Sequence, residues 1–141
     1  MPKERYLKTL RALAEWYQAF SRHDATHARS LGYTSAQFDV IATLGNTDGL
    51  TFKELGEKTL ITKGTLTGVV DRLEVRGIVR RVGSPSDARS TIVQLTAKGG
   101  REFERVFHAH VAYLKRGFQM LDAAELDRLD HLLGRLREGF R

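Results

Sequence analysis

A mainly α-helical fold with one small β-hairpin is predicted by three observations. Apolar residues recur at helical spacing near both ends, two Thr-x-x-Gln/Glu capping boxes open short helices between residues 34 and 60, and two β-branched-rich segments flank a turn at residues 83–90. The order from residue 51 to 99 is capped helix, tight turn, second helix, then a basic hairpin whose tip reads Ser84-Pro85-Ser86-Asp87-Ala88-Arg89-Ser90. This is the pattern of a winged helix-turn-helix. Such an arrangement lays one helix in a DNA major groove and swings a basic loop toward the neighbouring minor groove.

From about Lys3 to Ser30, Tyr6, Leu10, Leu13, Tyr17 and Phe20 follow a four-three-four-three spacing, so a long helix with a broad apolar face is expected. Gly32 stops it. Thr34 and Gln37 form a capping box for a helix carrying Phe38, Ile41 and Leu44, which Gly45 to Gly49 ends. Thr51 and Glu54 form the next box, and Leu55 and Leu60 are expected to reach the core from that helix. Thr62 is expected to cap the following helix, whose inward stripe is Leu66, Val69, Val70 and Leu73.

The opposite side of that helix carries Gly64, Gly68, Asp71 and Val75. Two glycines inside a helix cost about 1 kcal/mol each relative to alanine, so something must approach the backbone closely, and a groove floor would do so. Gly77 ends the helix. Strands are expected at Ile78 to Val82 and Thr91 to Leu95, and Thr96 to Gly100 marks a break. Phe103, Phe107, Val111, Leu114, Phe118 and Leu121 then form a second long stripe. Asp122 and Glu125 cap a last helix bearing Leu126, Leu129, Leu133, Leu136 and Phe140. A single domain of residues 1–141 is expected, with a winged lobe at about 34–99 and long amino- and carboxy-terminal dimerisation helices at about 3–30 and 100–141. The terminal stripes exceed what a small lobe can cover, which predicts a homodimer.

Composition narrows the function. The chain has no cysteine, which excludes disulfides, thiolate metal sites and thiol-based sensing. Neither a signal-peptide core nor an 18-residue apolar run occurs, so a cytoplasmic protein without a membrane partner is expected. The charge is +6, from 23 basic and 17 acidic residues, and Arg72, Arg76, Arg80, Arg81 and Arg89 fall within one 18-residue stretch. That clustering suits a polyanion. Neither a Walker-type phosphate loop, a Gly-x-Ser-x-Gly elbow nor a paired-carboxylate site is present, so an enzyme is not expected, and no cofactor is assigned.

Four segments resemble the MarR family of transcriptional regulators in order and spacing. They are Thr62-Lys63-Gly64-Thr65-Leu66-Thr67-Gly68-Val69-Val70-Asp71-Arg72-Leu73-Glu74, Gly77-Ile78-Val79-Arg80-Arg81, Asp87-Ala88-Arg89 and Val93-Gln94-Leu95-Thr96-Ala97-Lys98-Gly99. The resemblance implies a recognition helix in the first, a wing at the third and a lead into dimerising helices at the fourth. It further implies a homodimer straddling a pseudo-palindromic operator, most often as a repressor, and release by a small aromatic or phenolic effector. Gly68 stands where many relatives carry a larger, often basic residue. That shifts the expected readout toward Lys63, Thr65, Thr67 and Arg72, or toward groove shape.

The candidate DNA-binding residues are Thr62, Lys63, Thr65, Thr67, Arg72, Arg81, Arg89 and Ser90. Arg89 leads, because a guanidinium on a hairpin tip can enter a narrow minor groove. Asp87 would be repelled by phosphate and is expected to organise the wing, orienting Arg89 or pairing with Arg81. Trp16, Phe20, His23, Tyr33 and Phe38 are candidates for an effector cleft, with Arg22 or Arg29 meeting a carboxylate. His23 and His27 have a spacing that can bind a divalent metal, whereas His108 and His110 do not share a helix face, and no metal site is assigned. Two alternatives stand beside a specific regulator: an architectural or protein-interaction module with non-specific DNA binding, and a metal-responsive regulator.

Overall fold

The computed structural model describes residues 4–87 and 89–141. The elements in order are α1 (Tyr6–Ser30), α2 (Ser35–Leu44), β1 (Leu50–Thr51), α3 (Phe52–Lys58), α4 (Lys63–Val75), β2 (Val79–Gly83), β3 (Thr91–Leu95), α5 (Ala97–Phe118) and α6 (Ala123–Glu138). The expected start of the first helix at Lys3 and Ala88 of the wing lie outside the described residues. The chain forms two compact units, one reaching to His110 and the other running from Val111 to Arg141.

Local chemistry sets most boundaries. The Thr34, Thr51 and Asp122 side chains each accept the N–H three residues on, and Gln37, Glu54 and Glu125 accept the N–H of the capping residue in return. The Thr51 N–H holds the Glu54 carboxyl below its ordinary range. Gly32 and Gly77 follow α1 and α4 with φ of +98° and +75°, a left-handed conformation that glycine adopts without a Cβ penalty. Two expectations are corrected. Thr62 stands at the N-cap of α4, but its hydroxyl bonds Thr65 Oγ1 at 3.1 Å instead of capping the backbone. Leu60 is 74% exposed, because α3 stops at Lys58 and the chain has already turned outward.

The sheet has three antiparallel strands in the order β1-β3-β2, one more than the expected hairpin. Val79 faces Leu95, Arg81 faces Val93 and Gly83 faces Thr91, while β1 adds Leu50 opposite Val93. The lobe core gathers Val40, Ile41 and Leu44 of α2, Leu55 of α3, Leu66, Val70 and Leu73 of α4, and Val79 and Val93 of the sheet. Full burial of each such side chain contributes about 1.5–3 kcal/mol. Phe103 and Val106 join this core, so the first half of α5 packs in the lobe. Leu7, Leu10, Leu13, Trp16 and Tyr17 of α1 are exposed, as are Leu129, Leu132, Leu133 and Leu136 of α6.

The break expected at Thr96 to Gly100 is instead the first turn of α5. Thr96 Oγ1 accepts the Gly99 N–H at 3.0 Å and donates to the carbonyl of Gly77. Gly99 is required by packing, since a Cβ there would stand 2.0 Å from the carbonyl oxygen of Ile78. A Cβ at Gly100 would meet nothing within 4 Å among the described residues. Adjacent substitutions should therefore have opposite signs. Gly99→Ala is expected to destabilise the fold by about 1–3 kcal/mol through overpacking, and Gly100→Ala to be neutral or stabilising. Thermal denaturation of the two variants checks this, and equal melting points would refute it.

Candidate nucleic-acid interface

The face of α4 opposite its buried stripe is the centre of the site. Lys63, Gly64, Thr65, Thr67, Asp71, Arg72 and Val75 are exposed along it, Val75 at 89%. Added Cβ atoms at Gly64 and Gly68 would have no neighbour within 4 Å among the described residues. The fold itself therefore gives no reason for either glycine, and each opens the helix backbone to the outside. With the Thr62 hydroxyl turned to Thr65, it caps none of the first-turn N–H groups of α4, and the Thr62 carbonyl accepts the Thr65 N–H at 3.0 Å.

Behind this face, the wing is fastened to α4 by Arg81. Its Nη2 donates to Asp71 Oδ1 at 2.5 Å and its Nη1 to Glu74 Oε1 at 2.6 Å, while the guanidinium lies 5.5 Å from the Phe52 ring centroid. The Asp71 bond is the main cause of the raised Arg81 pKa. Arg81 thus pairs with two carboxylates of α4, neither of them Asp87. Arg80 Nε donates to Gln94 Oε1 across the strands, and Gln94 Nε2 to the carbonyl of Asp48.

At the wing tip, Asp87 Oδ1 accepts the Arg89 N–H at 2.9 Å, and Asp87 Oδ2 accepts from Ser90 Oγ at 3.2 Å. Asp87 therefore orders the turn on which Arg89 is presented, and Ser90 is part of that turn. Among the described residues the Lys63, Arg72 and Arg89 side chains have no carboxylate within 4.0 Å, whereas Arg81 has two. Uncompensated cations on the outward face are what phosphate neutralisation requires.

The candidate effector residues fall into two sets. Trp16 and Phe20 stack at 5.1 Å with an interplanar angle of 10°, and Trp16 and His23 are exposed on α1. Tyr33 and Phe38 are buried in the lobe core. The Tyr33 hydroxyl donates to Glu102 Oε1, and Phe38 packs against the His110 ring at 4.2 Å.

Sequence reading missed the role of His110, which is 2% exposed and joins α1 to α5. Its Nε2 lies 2.6 Å from Asp24 Oδ1 and its Nδ1 lies 2.8 Å from His27 Nδ1. His110 thus bridges the Asp24 carboxyl through Nε2 and the His27 ring through Nδ1. His27 is paired in this way with a residue 83 positions away, and no local spacing could reveal it. Among the described residues no cluster of three His, Cys, Asp or Glu side chains is arranged to hold a metal, and no helix is long and apolar enough to cross a membrane.

Comparison with known proteins places this geometry. Residues 31–90 match the model of the MarR family. The transcriptional regulator HosA of Escherichia coli O111:H- is 34% identical over 90 residues, covering 63% of this chain and 67% of HosA. The chain belongs to the MarR family. Among solved structures, AbsC, a MarR-family regulator from Streptomyces coelicolor, superposes with a TM-score of 0.88 at 24% identity, covering 100% of this chain and 97% of AbsC. A mutant of E. coli MarR with a cysteine replaced by serine, solved with operator DNA, gives a TM-score of 0.78 at 27% identity, covering 95% of this chain and 99% of that one. As a MarR-family protein the chain is a DNA-binding transcriptional regulator and not an enzyme.

The histidine bridge gives this MarR-family lobe a defined acid response. Burial, then the neighbouring His110, lowers the His27 pKa below 6.5, with Asp24 acting in the opposite direction. His27 therefore contributes stability that is present above pH 6.5, its unfolded value, and is lost as pH falls through the lowered folded value. His27→Gln should flatten the fall of the denaturation midpoint in that range relative to the parent. Parallel curves for the two proteins would refute the assignment.

Proposed function

We propose that the chain is a homodimeric, cytoplasmic repressor that binds a pseudo-palindromic operator and is released by a small aromatic or phenolic effector. The observation that carries this reading is the outward face of α4, where Gly64 and Gly68 open the backbone for a partner the fold does not supply. In the complex α4 enters the major groove with Thr67 and Gly68 at its floor. Lys63 and Arg72 meet phosphates or guanine edges, Thr62 and Thr65 approach the strand at the helix start, and Arg89 enters the minor groove. Arg81, Asp87 and Ser90 act by holding the wing at a fixed angle to α4.

A homodimer is supported by the exposed apolar side chains of α1 and α6, which have the residue types of a buried interface. A two-fold dimer presents two copies of α4 to half-sites one helical turn apart, about 34–36 Å. Effector binding needs only to favour a lobe arrangement that misaligns them. The stacked Trp16 and Phe20, on the same helix as His23, provide an aromatic surface for such a ligand, while Tyr33 and Phe38 belong to the lobe core.

Selection of DNA fragments by the purified protein, followed by salt titration on the selected site and on scrambled DNA, tests the reading. A palindromic site bound far above background is expected, and equal, steeply salt-dependent binding to both DNAs would favour the architectural alternative. On the selected site, Gly68→Ala should raise the melting point, because alanine favours the helix by about 1 kcal/mol, yet lower DNA affinity by crowding the groove. Arg89→Ala should lower affinity on the order of tenfold with an unchanged melting point and unchanged dimer. Unchanged affinity in either variant would remove that residue from the interface. Leu133→Glu should elute as a monomer in sizing chromatography and bind operator weakly, and a dimeric variant would relocate the dimer interface.

A further inference from the structure

The turn between α1 and α2 is where three helices are tied by polar groups, none of them on the DNA-facing side of α4. Two successive carbonyls of this turn accept guanidinium groups from different elements. Arg105 Nη2 of α5 donates to Leu31 O at 2.9 Å, and Arg76 Nη1, at the C-cap of α4, donates to Gly32 O at 2.9 Å. The Tyr33 ring lies 4.3 Å beneath the Arg76 guanidinium, and its hydroxyl donates to Glu102 on α5. Arg105 closes the set with Nε and Nη2 donating to the two Glu102 oxygens at 2.8 and 2.9 Å. Lys98 Nζ of α5 also donates to the Arg76 carbonyl at 2.9 Å.

A pivot lies nearby on the same helix. Gly99 brings the α5 backbone against Ile78 O with no side chain between them. Such a contact fixes where the two segments meet but resists rotation weakly. Glu102 and Arg105 lie three and six residues further along α5, about 4.5 and 9 Å by helix rise, and so hold the helix at a lever arm from that pivot. Arg76 and Arg105 are exposed, and an exposed ion pair such as Arg105–Glu102 contributes about 0–1 kcal/mol to stability. The forked Arg105–Glu102 bonds and the single directional bond from Arg76 to the Gly32 carbonyl restrict angle far more than they add stability.

We propose that Arg76, Tyr33, Glu102 and Arg105 are positioning residues for DNA recognition, a latch that sets the angle of α4 against α5 and thereby the separation of the two recognition helices. This inference rests on the homodimeric, operator-binding reading. Arg105, then the Tyr33 hydroxyl, hold the Glu102 carboxyl down to about 2, and burial, then Glu102, push the Tyr33 phenol up to about 12. The latch therefore keeps one protonation state from about pH 5 to 9, unlike the histidine bridge.

The test is binding to the selected operator in a series with the half-site spacing changed one base pair at a time, with scrambled DNA alongside. Tyr33→Phe keeps the buried ring and loses only the hydroxyl, and Arg76→Lys keeps the charge and loses the planar guanidinium that bonds the Gly32 carbonyl over the Tyr33 ring. The parent is expected to bind best at one spacing. Both variants should bind about fivefold to tenfold more weakly there, with a broadened or displaced optimum and unchanged affinity for scrambled DNA. Combining Tyr33→Phe with Glu102→Gln should cost less than the sum of the two, since both act on one bond. A uniform loss at every spacing with the shape of the profile preserved would mark a purely structural role and overturn the latch. A matching loss on scrambled DNA would make Arg76 a phosphate contact and overturn it as well. A parent with no spacing optimum would overturn the operator reading itself, and the latch with it.

Discussion

Everything the lobe presents to a partner depends on the azimuth of α4. Leu66, Val69, Val70 and Leu73 are buried against α2, α3 and the sheet, so the helix cannot turn about its axis without withdrawing a branched side chain from the core. At about 100° per residue that constraint leaves Gly64, Thr67, Asp71 and Val75 no direction but outward. Which residues the helix offers to a partner is therefore a by-product of core packing. The outward residues are free to be mostly small or polar because the stability of the helix rests on its other side.

Polar groups then convert a buried helix into an aimed one. Arg81 ties the wing to α4 through Asp71 and Glu74, and Arg76 ties the far end of α4 to the α1–α2 turn. Each tie is exposed enough to contribute little to stability, yet directional enough to choose among orientations of similar energy. Asp39 has a similar function at the entry to α4, where its carboxylate accepts the Leu60 N–H at 3.0 Å. Burial raises its pKa and the Leu60 bond opposes that shift, the signature of a carboxylate retained for its bond.

What is legible in the sequence is local. The boxes at Thr34, Thr51 and Asp122 are read from residues three apart, the hairpin from β-branched runs around Pro85 and Asp87, and the inward stripe of α4 from its period. Asp87 is readable as an organiser because phosphate would repel its charge, and the structure gives it the Arg89 N–H and the Ser90 hydroxyl to hold. The misses have a common origin. Strand β1 is two residues long and ends at the residue that caps α3, so it leaves no alternation to read. The Tyr33–Glu102 and His27–His110 bonds span 69 and 83 positions and exist only after the helices pack. Gly99 and Gly100 look alike in the sequence, and only the Ile78 carbonyl distinguishes them.

The strand register carries a consequence for how this scaffold can diverge. Pairing of β2 with β3 runs without a bulge from Val79 opposite Leu95 to Gly83 opposite Thr91, and one more backbone bond, from the Ser84 N–H to the Ser90 carbonyl at 3.1 Å, closes the loop. Within that closure the tip is ordered by its own residues, Ser84 with Ser86 and Asp87 with Ser90. Residues inserted or deleted in the tip leave every rung and every core contact in place. The reach of the wing is thus a variable of loop length alone, open to lengthening or trimming by selection or by design while the reading head behind it stays the same.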